Sequence, residues 1–323
     1  MKLNRIALTG ILTGSIAAFL TASVHADIFG SGANAFNINF VTVSNAGNGN
    51  DAGAGGGLYS SPFGGVSYTF QMGVTEVAQD WITKATNLGM TNVTAGTFSA
   101  NRPATSLTWY EMAGFVNWLN TNQGHQAAYQ LDGTNTSLTL WSSAQAWQAG
   151  GENLYRHKDA YYFLPSENEW YKAAHHKNDG VTANYWDYAT GSNTIPMAVA
   201  SGTGAGSAVY AQNFFGAGPA DITQAGGLSA YGTMGQNGNA LEWTESASTA
   251  PNDSSSEGRA IRGGFWGDAE GQVRSSFRSA SGPQFEGTGV GFRVASIPEP
   301  SSTVLMLSAG LLALARSRRR AAL

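Results

Sequence analysis

Few residues in this chain could carry chemistry, and their spacing restricts what they could do. There is no cysteine, and past the first 26 residues the histidines are His125, His157, His175 and His176. His175 and His176 are adjacent, and neighbouring helical side chains diverge by about 100°, so the two cannot chelate one ion together. They are expected at a polar helix end beside Lys172 and Lys177. Glu167 and Glu169 are two apart on the same segment and point to different faces, which disfavours a paired general acid and base. Ser166 followed three residues on by Glu169 forms a helix-start signature, so these carboxylates have a structural task first. Arg262, Arg278 and Arg293 recur near the end of the chain and suit two-pronged pairing with buried carboxylates or carbonyls. Ser279 has no histidine and aspartate at a motif spacing, and the glycine run from Gly53 has no following lysine, so neither a serine nucleophile nor a phosphate loop is supported.

The elements that must position these residues are legible in places. Phe36 to Val43 alternates as a strand, Ser44 to Gly57 is a glycine-rich loop, and Val66 to Met72 alternates again. Val77, Trp81, Ile82 and Ala85 share a helical face that Gly89 ends. Pro103 and Ser106 are expected to open a second helix, whose stripe of Trp109, Met112, Phe115, Val116 and Leu119 reads as core. Asn120 to Gly151 is a polar connection. Tyr161 to Leu164 is a short strand before the helix at Ser166, and Asn178 to Gly232 is aromatic-rich with little periodicity. Three short strands are predicted over 259–265, 273–279 and 289–294.

Both ends carry export signals. Lys2 and Arg5, an apolar stretch from Ile6 to Leu20 and the small-residue pattern Val24-His25-Ala26 predict a secretory leader over residues 1–26, with a mature start at Asp27. Pro298-Glu299-Pro300, the apolar run 302–315 and the arginines at 316, 318, 319 and 320 resemble a PEP-CTERM sorting tail over 298–323. In that resemblance an exosortase-type enzyme processes the tail after it has been held transiently in the inner membrane of a Gram-negative bacterium. As a helix the run covers about 21 Å against roughly 30 Å of hydrocarbon, a marginal span. The expected destination is the outer envelope or extracellular matrix.

Between the ends, residues 27–297 form one domain-sized segment. Of 17 Lys and Arg, six lie in the two ends; of 21 Asp and Glu, only Glu299 does, which leaves about nine net negative charges. Such a surface argues against nucleic acid and anionic lipid and suits calcium or a neutral glycan. With no disulfide available, 42 glycines and 36 aromatic residues describe a loop-rich domain tied by ring packing.

MGVTEVAQDW, NRPATSLTWYEMAGFVNWLN, YFLPSENEWYKAA, GNALEW, IRGGFW, and VRSSFRS followed by GFRVA resemble, in that order, the formylglycine-generating enzyme or sulfatase-modifying factor family. The resemblance runs from about Val41 to Ala295, and the YWDYATGSNTIP stretch resembles the branch exported with PEP-CTERM tails. It implies an α+β, loop-rich fold of the C-type-lectin-like kind. In catalytic members two cysteines five apart bind copper and oxidise a substrate cysteine; the matching positions here are Arg274 and Ser279, so copper and that reaction are not expected. The resemblance also implies calcium, held by the Gly238 and Ala240 carbonyls and the Glu242 carboxylate, with Asn213 matching a second site; Gly235 stands where the family pattern has Asp or Asn. Two functions remain open: a noncatalytic module binding a glycan such as exopolysaccharide, or an envelope protein; and an oxidoreductase of altered metal-dependent chemistry using histidine and carboxylate ligands.

Overall fold

The computed structural model describes residues 24–53, 62–249 and 251–298. Of the expected leader over 1–26, residues 1–23 lie outside them, as do most of the glycine run from Gly53 and the apolar run 302–315, whereas Val24 to Ala26 are described. Among the described residues no helix is long and apolar enough to cross a membrane.

The chain opens with β1 (Val24–Phe29), β2 (Phe36–Val43) and β3 (Phe70–Gly73), followed by α1 (Gln79–Asn87) and α2 (Trp109–Asn122). Short strands β4 (Gln130–Leu131), β5 (Leu138–Thr139), β6 (Ala146–Trp147), β7 (Asn153–His157) and β8 (Tyr162–Phe163) lead to α3 (Glu167–His175). After it come β9 (Met197–Ala198), β10 (Ser207–Ala208), β11 (Leu241–Ala247), β12 (Arg259–Arg262), β13 (Ser279–Ser281), β14 (Val290–Gly291) and β15 (Ala295–Ser296). One sheet has the order β1-β2-β3-β15-β8, all antiparallel. A four-stranded sheet has the order β13-β12-β11-β14, with only β11 and β14 parallel in it, and β4-β5, β6-β7 and β9-β10 pair as two-stranded sheets.

β2 has the predicted bounds, and its alternation is what buries Phe36, Ile38 and Phe40 while Asn37 and Asn39 face out. α1 and α2 lie where the periodicity puts them. α2 is buried nearly all round, and its predicted stripe of five residues is wholly inside. Its start differs from expectation: the cap is Thr108, whose hydroxyl accepts from the Glu111 amide while the Glu111 carboxylate accepts from the Thr108 amide. Ser106 instead adopts a φ of 57° and so turns the chain before the helix. The core between α2 and the first sheet is largely aromatic, with Phe36 stacked on Trp81, Phe115 and Trp118 at 5.9, 6.4 and 6.1 Å between ring centres.

The strand predicted over 273–279 does not form: that stretch follows a 3-10 turn (Glu270–Gln272), and pairing starts only at Ser279. The polar connection 120–151 holds β4, β5 and β6.

Candidate functional site

The interior is organised by carboxylates on α3 and β11. Pro165 stops β8 and Ser166 caps α3 as read from the sequence: the Ser166 hydroxyl accepts from the Glu169 amide and the Glu169 carboxylate accepts from the Ser166 amide. That carboxylate also accepts from both terminal nitrogens of Arg156, at 3.1 and 2.9 Å, and from the Tyr68 hydroxyl at 2.6 Å. Arg156 extends to Glu245, which also accepts from Asn153 at 2.5 Å and Tyr129 at 2.8 Å. Burial works to raise the Glu169 pKa, but the guanidinium beside it prevails and holds it low. Glu167 faces the other way and accepts from Arg262 and Arg278, each at 2.7 Å. The two glutamates thus serve separate networks, and the arginines act as the anchors the sequence suggests.

Glu242 on β11 bears on calcium. Its carboxylate is gripped by Arg293 at 2.6 Å through both Nε and Nη2 and accepts from the Trp170 indole at 2.7 Å. Arg293 goes on to the Gly73 and Met234 carbonyls. A dication at Glu242 would sit against this guanidinium, so the residues present do not fit the calcium set expected from Gly238, Ala240 and Glu242. Asn213 is exposed and its carbonyl oxygen accepts from the Phe215 amide, a local loop contact away from buried Glu242. Glu76, which the sequence did not single out, occupies the space beside Gly235: a Cβ there would lie 2.6 Å from both its oxygens. One of those oxygens accepts from Asn239 and the other has no partner among the described residues. Burial, then the neighbouring Glu242 charge, pushes the Glu76 pKa up to about 7.

Arg274 and Ser279 are not a metal pair. Arg274 is an exposed cation bonded to Asp187 at 2.9 Å, while Ser279 begins β13 opposite Ile261. Neither offers the soft thiolate that cuprous copper requires, so the residues do not fit copper. His175 and His176 are buried, contrary to the polar helix end expected, because the segment after α3 folds back over them. Burial, aided by Arg262, lowers His175 to about 3. The His176 ring meets the Tyr231 hydroxyl at 2.9 Å. His125 stacks on Tyr161 and His157 packs against Trp141. Among the described residues no three His, Cys, Asp or Glu side chains converge on a point where a metal could sit.

Two surface features remain. Phe214 and Phe215 stand out of the loop after β10, with Phe215 93% exposed and Phe214 41% exposed. Phe214 stacks over Trp266 at 6.0 Å and meets Phe265 edge-on at 5.5 Å. They border a cavity of about 400 Å³ that Phe98, Arg102 and Thr288 complete. The buried Trp266 indole nitrogen has no partner among the described residues. Asp268, whose carboxylate accepts from the Phe265 amide and the Gln272 side chain, fixes the loop below; burial raises its pKa to about 6. The second feature, a cleft of about 280 Å³, opens over the Arg156 network between Tyr68, Trp147, Ser166, Asn168 and Asn252. The first falls in the stretch 178–232 that the sequence marks only as aromatic-rich; nothing local in sequence marks the second.

The fold is similar to that of Treponema denticola variable protein 1, with 19% identity, a TM-score of 0.59, and coverage of 86% of this chain and 100% of that one. CarF is similar at 18% identity and TM-score 0.56, with 81% of this chain and 99% of that one covered. PvdO from Pseudomonas aeruginosa matches at 15% identity and TM-score 0.53, over 84% and 98% of the two chains. Comparison with curated proteins finds no match. Residues 296–320 match the PEP-CTERM protein-sorting motif, the mark of a secreted protein passed through the envelope to an exosortase-type processing system. Residues 51–297 match the sulfatase-modifying factor enzyme 1-like domain, and with the six ordered sequence blocks and the shared fold, the chain belongs to that family.

Proposed function

We propose that this protein is a noncatalytic member of its family, a binding module that an exosortase-type system delivers to the outer envelope or matrix, where it holds a glycan or an envelope protein. The observation that carries this reading is the crest of Phe214 and Phe215, mounted on Trp266 and Phe265 and left open to solvent. Exposing stacked rings in water is unfavourable unless a partner covers them, and rings held in place by other rings lose little entropy on binding. The donor sets support the same side: arginine and serine stand where the family's oxidation needs thiolates, and the histidines are dispersed.

The test is retention of the full-length protein on envelope and matrix material from the producing cells. Phe214→Ser with Phe215→Ser should lower retention about tenfold or more, as loss of an aromatic hot spot does. Periodate treatment of the material should abolish it if the ligand is a glycan, and protease treatment if it is a protein. Retention that survives the double substitution would end the crest reading.

A further inference from the structure

The cleft over Arg156 shares no lining residue with the crest and is chemically unlike it. We infer that it is a second binding site, taking one neutral pyranose unit of a saccharide, and that this assignment does not depend on the crest.

Its walls are the rings of Trp147 and Tyr68, set edge to face at 5.3 Å, which offer apolar surface to the C–H face of a sugar. Polar groups with spare capacity converge from two sides. The Asn168 oxygen accepts from the Gly64 amide, whereas its NH2 makes no hydrogen bond among the described residues. Ser166 accepts from the Glu169 amide and keeps its hydroxyl proton for another acceptor. Asn252 donates to the Asn153 oxygen at 3.0 Å and retains a second amide hydrogen. Carboxamides and a hydroxyl around an aromatic wall suit alternating donors and acceptors on a ring of alcohols.

Charge excludes the anionic alternatives. Arg156 lies under the cleft, but its guanidinium is already shared by Glu169 and Glu245, so the buried group is net negative. Glu152 adds a further carboxylate to the lining. A phosphate, sulfate or uronate would meet repulsion, with no free cation in the lining among the described residues. Gly150 and Gly151 line the opening at φ of 81° and 120°, and among the described residues a Cβ at 151 would meet nothing within 4 Å. Because the floor is a buried network of paired groups, its shape exists before any ligand arrives, which lowers the ordering cost of binding.

The experiment titrates full-length protein with cellotetraose, xylotetraose, mannotetraose, chitotetraose and, as an acidic control, tetragalacturonate, followed by calorimetry and tryptophan fluorescence. At least one neutral tetraose should saturate the protein with Kd at or below ~1 mM, and the uronate should not bind. Trp147→Ala and Asn168→Leu should each weaken that binding about tenfold, and Trp147→Phe should retain most of it. Asn168 lies on the exposed rim and its oxygen holds the Gly64 amide, so the thermal midpoint of Asn168→Leu is measured beside its binding to separate loss of contact from loss of fold. Failure of every neutral tetraose up to ~10 mM, or wild-type binding by both Trp147→Ala and Asn168→Leu, would overturn the assignment. If binding instead disappears with Phe215→Ser and persists in the cleft variants, the cleft falls while the crest reading stands.

Discussion

Among the buried glutamates of the described residues, Glu76 is the one that no arginine grips directly. Glu167, Glu169, Glu242 and Glu245 each accept from a guanidinium, whereas among the described residues Glu76 accepts a side-chain hydrogen bond only from Asn239 and its second oxygen has no partner. Its pKa, raised to about 7, makes it protonated in the fold where the unfolded chain, near 4.5, is already ionised. The stability this contributes is complete below about 4.5 and disappears as pH rises through about 7. Glu76→Gln should therefore flatten the fall in stability between pH 5 and 8, by up to about 3 kcal/mol at the alkaline end, in urea titrations of the two proteins. His175 has the opposite sign: lowered to about 3 by burial, it contributes fully above about 6.5 and loses that contribution as pH falls. An unchanged alkaline slope in Glu76→Gln would show that the carboxyl is already ionised at neutral pH. The arginines could be read from sequence because a buried guanidinium always needs an acceptor. Glu76 could not, since its partner lies 163 positions away and its surroundings are set by tertiary packing. The expectation of calcium at Glu242 could not take account of Arg293, which reaches that carboxylate from the link between β14 and β15.

Helices announced themselves through period and capping, and strands did so only where they were long. α1, α2 and α3 and the eight-residue β2 were visible because enough residues repeat to reveal a face. The remaining strands are mostly pairs of residues, defined by partners rather than by their own pattern, which is why 273–279 was misread. The helix start at Thr108 was displaced to Ser106 because both are good caps and only the backbone distinguishes them. Thr108→Ala should cost about 1 kcal/mol, seen as a fall of about 2–4 °C in thermal midpoint. Ser106→Gly, at a φ of 57° that glycine adopts freely, should leave the midpoint unchanged or raise it. Equal losses from both would restore Ser106 as a cap. The crest was half legible, as a dense aromatic run. The cleft was not, because Tyr68, Trp147, Asn168 and Asn252 come from four separate stretches.

At the scale of the molecule, the α+β, lectin-like class was legible from the order of the blocks, whereas the way the sheets close was not. β15, the last described strand, lies inside the first sheet, with Ala295 and Ser296 paired to β3 on one side and β8 on the other. A chain stopped at Val294 should lose both ladders and appear after export as a protease-sensitive species. One stopped at Ile297 should resist proteolysis like the whole protein, which limited digestion and immunoblotting would read. Because β15 ends two residues before Pro298, the sheet remains unlatched until the domain has been exported as far as the sorting motif. A trimming enzyme that strayed upstream of Ser296 would unzip what it was meant to release, which makes the centre of the sheet its own safeguard on where the tail is severed.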